Sequence, residues 1–184
     1  MKPNVRENTV KLALMAMFTA LSVVLLFFVH IPFPPAPFLE YDLADSVIIL
    51  ATLILGLPAG LTILFAASAI QAFLFGGNGW IGLVMHFAGS GALIACIGLF
   101  FRKKRKFKFL IIGVLVGAIA RTAVMIPMNR IFTVNFFGVP LEQFYSLIVP
   151  AFIPFNLTQS LLNGLLAILL YKALSPISNK IIKK

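Results

Sequence analysis

From about residue 12 to residue 174 the chain is a succession of apolar runs, broken only by short stretches rich in proline, glycine or lysine. Several runs approach or exceed the roughly 20 residues that an α-helix needs to cross a bilayer. No aqueous fold of this length could bury them. Of the 184 residues, 61% are apolar and 11% charged, against about 45–50% and about 25% in soluble domains. The expected fold is an all-α integral membrane protein, a compact bundle of six transmembrane helices forming one domain over residues 1–184.

The spans are expected at Leu12 to Val29, Leu43 to Leu55, Leu61 to Phe75, Ile81 to Phe101, Phe109 to Met128 and Tyr145 to Leu174. Between the first two lies His30 to Glu40, where Pro32, Pro34, Pro35 and Pro37 remove amide donors and exclude helix. Leu57-Pro58-Ala59-Gly60 and Gly76-Gly77-Asn78-Gly79 read as turns, and Asn129 to Gln143 as a loop. The second and third spans are short for a membrane crossing. The basic start followed by an apolar run reads as a retained helix, because the run is too long for a signal peptide and no A-x-A site closes it.

The net charge of +10 is not spread as in a nucleic-acid binder. Thirteen of the 15 Lys and Arg fall in three short segments: Lys2 to Lys11, Arg102 to Lys108, and Lys172 to Lys184. With both termini in the cytoplasm, all three lie inside, as the positive-inside rule requires. Four of the five acids, Glu40, Asp42, Asp45 and Glu142, then fall at the outer side.

The outer loops are also long, aromatic and polar, holding Phe33, Phe38, Tyr41, Asn78, Trp80, Asn129, Phe132, Asn135, Phe136 and Phe137. They are read together as a ligand site near the outer surface, the alternative being an interfacial aromatic belt. The last span carries Asn156, Gln159 and Asn163 at i, i+3 and i+7, hence on one face. Asn156 and Gln159 lie near the outer loops and are read as ligand contacts; Asn163, deeper, serves equally as glue between helices. Arg121 lies within a span and needs an interior acceptor, with Asp42, Asp45, helix carbonyls or a ligand as candidates. His86 reads first as a hydrogen-bonded packing residue. Ala13, Ala16 and Ala20 form a small face on the first span, and Gly113 and Gly117 make a G-x-x-x-G suited to packing inside the bundle or against a partner.

Several chemistries are missing. There is no G-x-x-x-x-G-K-[ST], no H-E-x-x-H and no G-x-S-x-G, so neither a self-powered ATPase nor a familiar hydrolase is expected. The lone Cys96 can form no internal disulfide or multi-cysteine metal site. No catalytic residues, metal or cofactor are expected.

The order of motifs resembles a known family. A helix with spaced alanines precedes a proline-rich loop ending Phe38-Leu39-Glu40-Tyr41-Asp42-Leu43-Ala44-Asp45. Then come Leu57-Pro58-Ala59-Gly60, a Gly-Asn-Gly-Trp turn, a basic loop, Pro127-Met128-Asn129 and Ile153-Pro154-Phe155-Asn156. Over nearly its whole length the chain resembles the substrate-binding S components of energy-coupling factor (ECF) vitamin transporters, most of all the riboflavin-specific ones. The resemblance implies a multi-pass protein of a prokaryotic plasma membrane that binds riboflavin as transported ligand. It would dock on a transmembrane coupling subunit carrying two cytoplasmic ATPase subunits, through the Ala13, Ala16 and Ala20 face. It would bind the flavin with Asn129, Asn156 and Gln159, under a loop closed by Phe38, Leu39, Tyr41 and Asp42, with Asn78, Trp80 and His86 at the same end. Two positions depart from the family pattern. Gln159 stands where some riboflavin subunits have lysine, and His86 where asparagine is common. Other readings are an S component for pantothenate or a hydroxymethylpyrimidine or thiamin ligand, a small intramembrane enzyme acting on lipid or isoprenoid, and a scaffold subunit.

Overall fold

The computed structural model describes residues 5–74, 79–103, 106–136 and 138–182. Its helices are α1 (Val5–Phe28), α2 (Ala44–Leu55), α3 (Leu57–Leu74), α4 (Gly79–Lys103), α5 (Phe107–Asn129), α6 (Leu141–Leu147) and α7 (Ile153–Ile182). Five helical segments are long and apolar enough to cross a membrane: Val5–Phe28, Leu57–Leu74, Gly79–Arg102, Phe107–Val134 and Leu141–Leu174. The chain is therefore a multi-pass membrane protein with a sixth, shorter apolar helix, α2.

Helix α2 forms the centre of the bundle. Its 12 residues span about 18 Å, well short of the roughly 30 Å hydrocarbon core. Every residue from Ala44 to Leu53 is buried, and α1, α3, α4 and α7 all pack against it. Its Val47, Ile48, Ile49 and Leu50 meet Leu64 of α3, Leu93 and Ile97 of α4 and Ala167 of α7 in one apolar core. Outside this core, α5 lies along α4. A Cβ at Gly113 would come within 3.0 Å of Ile97 Cα, and one at Gly117 within 2.9 Å of the Leu93 carbonyl. The G-x-x-x-G thus serves internal packing. The opposite arrangement holds on α1, where Phe18, Ser22 and Leu26 are buried while Ala13, Ala16 and Ala20 are exposed.

Several expected boundaries shift. The segment Leu57 to Gly60 is the first turn of α3 rather than a turn between helices. Gly56 takes φ +93°, a conformation other residues rarely adopt, and makes the break alone. Pro58 then sits in the first helical turn, where its missing N–H costs nothing. The proline-rich loop is a two-stranded antiparallel hairpin, β1 (Ile31–Phe33) and β2 (Ala36–Tyr41), so the fold carries a small sheet that an all-α reading omits. The expected loop after Met128 is mostly helical. After Pro127, α5 runs into a wider π-helical turn, Arg130–Val134. A second such turn, Ile148–Phe152, holds Pro150 and joins α6 to α7. Proline cannot supply the regular i to i−4 bond, and a π-turn absorbs the defect.

Candidate functional site

The polar face of α7 meets the chain where the hairpin turns into α2. Asn163 holds this junction from both sides: its Nδ2 donates to the Asp42 carbonyl at 3.0 Å, and its Oδ1 accepts from the Ser46 N–H at 3.1 Å. One turn earlier, Gln159 Nε2 donates to Asp42 Oδ2 at 2.8 Å. Asp42 Oδ1 accepts the Ala44 N–H at 3.0 Å, satisfying a free amide at the start of α2. Burial lifts the Asp42 carboxyl above its ordinary range. The nearby Asp45 pushes the same way, against the pull of His86, Arg121 and the Ala44 amide. Asn156 donates Nδ2 to the Phe152 carbonyl at 2.8 Å. Asn163 is thus the glue of the stripe, whereas Asn156 and Gln159 are only half used. Both are buried, and among the described residues Asn156 Oδ1 and Gln159 Oε1 have no hydrogen-bond partner.

Aromatic rings cover this end of α7. Tyr41 of β2 lies 5.1 Å from the Phe155 ring, and Phe33 of β1 lies 5.6 Å from Tyr41 and 5.7 Å from Phe155. Phe38 reaches Phe152, which stacks on Phe144 of α6. The hairpin is therefore fastened by Phe155, next in sequence to Asn156, and by Phe152, whose carbonyl Asn156 engages. Offset and edge-on pairs of this kind contribute about 0.5–1.5 kcal/mol each. His30 and Glu40 pair at the hairpin's base at 2.8 Å.

A second polar cluster centres on Asp45, in the first turn of α2. Asp45 Oδ2 accepts hydrogen bonds from Arg121 Nη1 of α5 and, at 2.8 Å, from Ser90 Oγ of α4. His86 Nε2 faces Asp45 Oδ1 at 3.4 Å, and His86 Nδ1 meets Ser68 Oγ of α3 at 3.1 Å. Of the acceptors open to Arg121, the structure selects Asp45. The charge that an isolated arginine would bring into the bundle is thereby matched.

Among the expected site residues, Tyr41, Asp42, Asn156 and Gln159 come together directly or through one neighbour. Asn129 is buried at the end of α5, its Nδ2 donating to the Met125 carbonyl at 2.8 Å, and α5 packs against the Ile148–Phe152 turn. Trp80, half exposed, meets Phe132 and Phe136 edge-on with ring centroids 5.8 Å and 5.6 Å away, joining the start of α4 to the residues that follow α5. Leu39 is half-buried and Phe38 exposed on β2. His86 belongs to the Asp45 cluster. Asn78 lies outside the described residues, as does Phe137. Sequence reasoning passed over Phe144 and Phe152 because isolated phenylalanines in an apolar run look like core. Ser68 and Ser90 gave no signal at all.

Comparison with known proteins agrees with this architecture. Residues 6–176 match the family model described as ECF-type riboflavin transporter, S component. A riboflavin transporter RibU from Streptococcus thermophilus is 30% identical over 183 residues, covering 95% of this chain and 87% of the relative. RibU from Staphylococcus aureus is 27% identical over 181 residues, covering 95% and 94%. A solved structure described as the S component of a bacterial ECF transporter is similar with a TM-score of 0.78 and 26% identity, over 92% of this chain and 98% of that one. All are transport proteins, and none is an enzyme. With the matched residues running from the first turn of α1 into the closing turns of α7, the chain belongs to the family of S components of ECF-type riboflavin transporters.

Proposed function

We propose that this protein captures riboflavin at the outer face of a bacterial plasma membrane, in the site between the hairpin and the polar face of α7. The observation that carries the reading is the pair of buried, unpartnered acceptors Asn156 Oδ1 and Gln159 Oε1 beneath an aromatic roof. A buried polar atom without a partner costs about 1–3 kcal/mol, and a ligand with a polar edge and flat apolar rings relieves that cost while stacking on the aromatics. Phe38, Leu39, Tyr41 and Asp42 close the hairpin over the ligand. Asn129 contributes from α5, with Trp80 and His86 of α4 as further candidates. Residues 1–184 act as one substrate-binding domain with both termini cytoplasmic. The similarity to riboflavin transporters supports the choice of vitamin. Loaded protein would pass riboflavin on through a transmembrane coupling subunit driven by two cytoplasmic ATPases. The exposed Ala13, Ala16 and Ala20 of α1 would form the docking face, since small side chains let a partner helix approach closely.

The test is fluorescence titration of the detergent-purified chain. Riboflavin should quench the single tryptophan, Trp80, saturating at about one equivalent, and flavin emission should fall as the ring stacks. Saturable quenching by pantothenate or thiamin, with none by riboflavin, would overturn the choice of vitamin.

A further inference from the structure

A carboxamide can turn about its last bond and exchange carbonyl for NH2, so an Asn or Gln side chain ordinarily offers a ligand either a donor or an acceptor. Gln159 has lost that freedom. Its Nε2 is held by Asp42 Oδ2 at 2.8 Å, while Asp42 Oδ1 is occupied by the Ala44 N–H at 3.0 Å. Each Asp42 oxygen meets a donor, Gln159 Nε2 or the Ala44 N–H, and these donors favour the ionised form, which only accepts, against the burial and the Asp45 charge that favour the protonated one. Turning the Gln159 amide would set its Oε1 against that carboxylate. The residue is 1% exposed, and its Oε1 has no partner among the described residues. Asn156, 2% exposed, is committed in the same sense, with Nδ2 spent on the Phe152 carbonyl at 2.8 Å and Oδ1 left over.

We propose that Asp42 is a specificity-determining positioning residue: by holding the Gln159 amide in one sense, it turns this part of the site into a pair of acceptors, Asn156 Oδ1 and Gln159 Oε1, that selects ligands presenting hydrogen-bond donors. This rests on the riboflavin reading above. Riboflavin has two kinds of donor, the imide N–H of its ring and the hydroxyls of its ribityl chain. A site whose buried acceptors must be met rejects an analogue that lacks the matching donor.

The experiment compares the affinities of the purified full chain for three flavins. These are riboflavin, 3-methylriboflavin, whose imide N–H is replaced by N-methyl, and lumiflavin, which keeps the imide but has no ribityl chain. Wild type should bind one or both analogues about tenfold or more weakly than riboflavin, and which analogue suffers identifies the donor read. Asp42→Asn keeps an acceptor for the Ala44 N–H but can itself donate to Gln159, so the amide is free to turn. The preference for riboflavin over the affected analogue should then shrink severalfold, a ratio that a merely structural contribution of Asp42 would leave alone. Gln159→Met, of similar length and without an acceptor, should shrink the same ratio and serves where Asp42→Asn does not fold. Binding of all three flavins by wild type within about twofold would overturn the donor-selective site. Wild-type ratios in the variants would overturn the role of Asp42. Failure of wild type to bind riboflavin at all would overturn the riboflavin reading and this inference with it.

Discussion

Two polar regions lie inside this apolar bundle, and they differ in how their charges and lone pairs are met. Around Asp45 the groups are complementary. A carboxylate faces a guanidinium, a hydroxyl and an imidazole, and the atoms that close no hydrogen bond among the described residues are of mixed kind: Asp45 Oδ1 and His86 Nε2, which face each other at 3.4 Å, and the donor Arg121 Nε. On α7 the leftover atoms, Asn156 Oδ1 and Gln159 Oε1, are both acceptors. Two acceptors cannot satisfy one another; only a donor brought from elsewhere can. The first arrangement is that of a joint between helices: Asp45 ties α2 to α4 and α5, and His86 extends the tie to Ser68 of α3. The second is that of a receptor. Burial alone does not distinguish them, since both are almost wholly inaccessible. The sign of what is left over does.

The sharpest way to break this comparison is to remove the charge partner. Arg121→Leu leaves Asp45 uncompensated inside the bundle, and loss of one member of a buried pair costs about 3–5 kcal/mol. Calorimetric unfolding in detergent should show a large fall in stability, most of which the double variant Asp45→Leu with Arg121→Leu should restore. A single variant as stable as wild type would mean that the cluster is no joint. Asn163→Ala tests the glue on α7. It strips partners from the Ser46 N–H and the Asp42 carbonyl, and should lower stability by about 1–3 kcal/mol. Asn156→Leu should behave the other way round. It should weaken riboflavin binding by about 1–3 kcal/mol, yet change the unfolding free energy of the empty protein by less than about 1 kcal/mol, because the bond lost to Phe152 is offset by relief of an unmet acceptor. Equal losses in both measurements would make Asn156 structural and erase the contrast. The smallest effect on either region is expected from Ala16→Trp combined with Ala20→Trp on the exposed face of α1. Binding should stay within tenfold, about 1.4 kcal/mol, while uptake in cells carrying the whole transporter is lost. Collapse of binding would show that this face supports the site instead of a partner.

Much of this organisation could be read before any coordinates. The apolar runs located the helices, and the spacing of Asn156, Gln159 and Asn163 placed them on one face, because helical periodicity is local. The need of Arg121 for an acceptor was equally legible, although two acids three residues apart were both candidates; only packing decides that Asp45 enters the bundle while Asp42 turns to α7. What stayed hidden was set by non-local geometry. Four prolines masked the hairpin, since strand pairing is recognised by alternation and by donors that proline lacks. Leu57 to Gly60 has the composition of a turn, yet it begins a helix because Gly56 alone absorbs the reversal. The π-helical turns after Pro127 and around Pro150 extend helix through segments whose residues advertise loop. The partners of His86, Ser68 and Asp45, come from two other helices, a convergence that no spacing rule encodes.

The brevity of α2 bears on how the protein is made. A nascent segment of 12 residues carrying an acid in its first turn is a poor substrate for independent release from the translocon into lipid, whatever its hydropathy. Asp45 leaves the ribosome 76 residues before Arg121, so for the time needed to synthesise α3, α4 and most of α5 its carboxylate has no cation to meet. The central helix of the finished bundle therefore depends for its contacts on helices made after it. Helices α1, α3 and α4 have the apolar length to insert on their own, whereas the charge of α2 meets its cation only once α5 is made and its first turn meets Asn163 only once α7 follows, so a chain arrested before α5 should be held by the insertion machinery rather than by its own core.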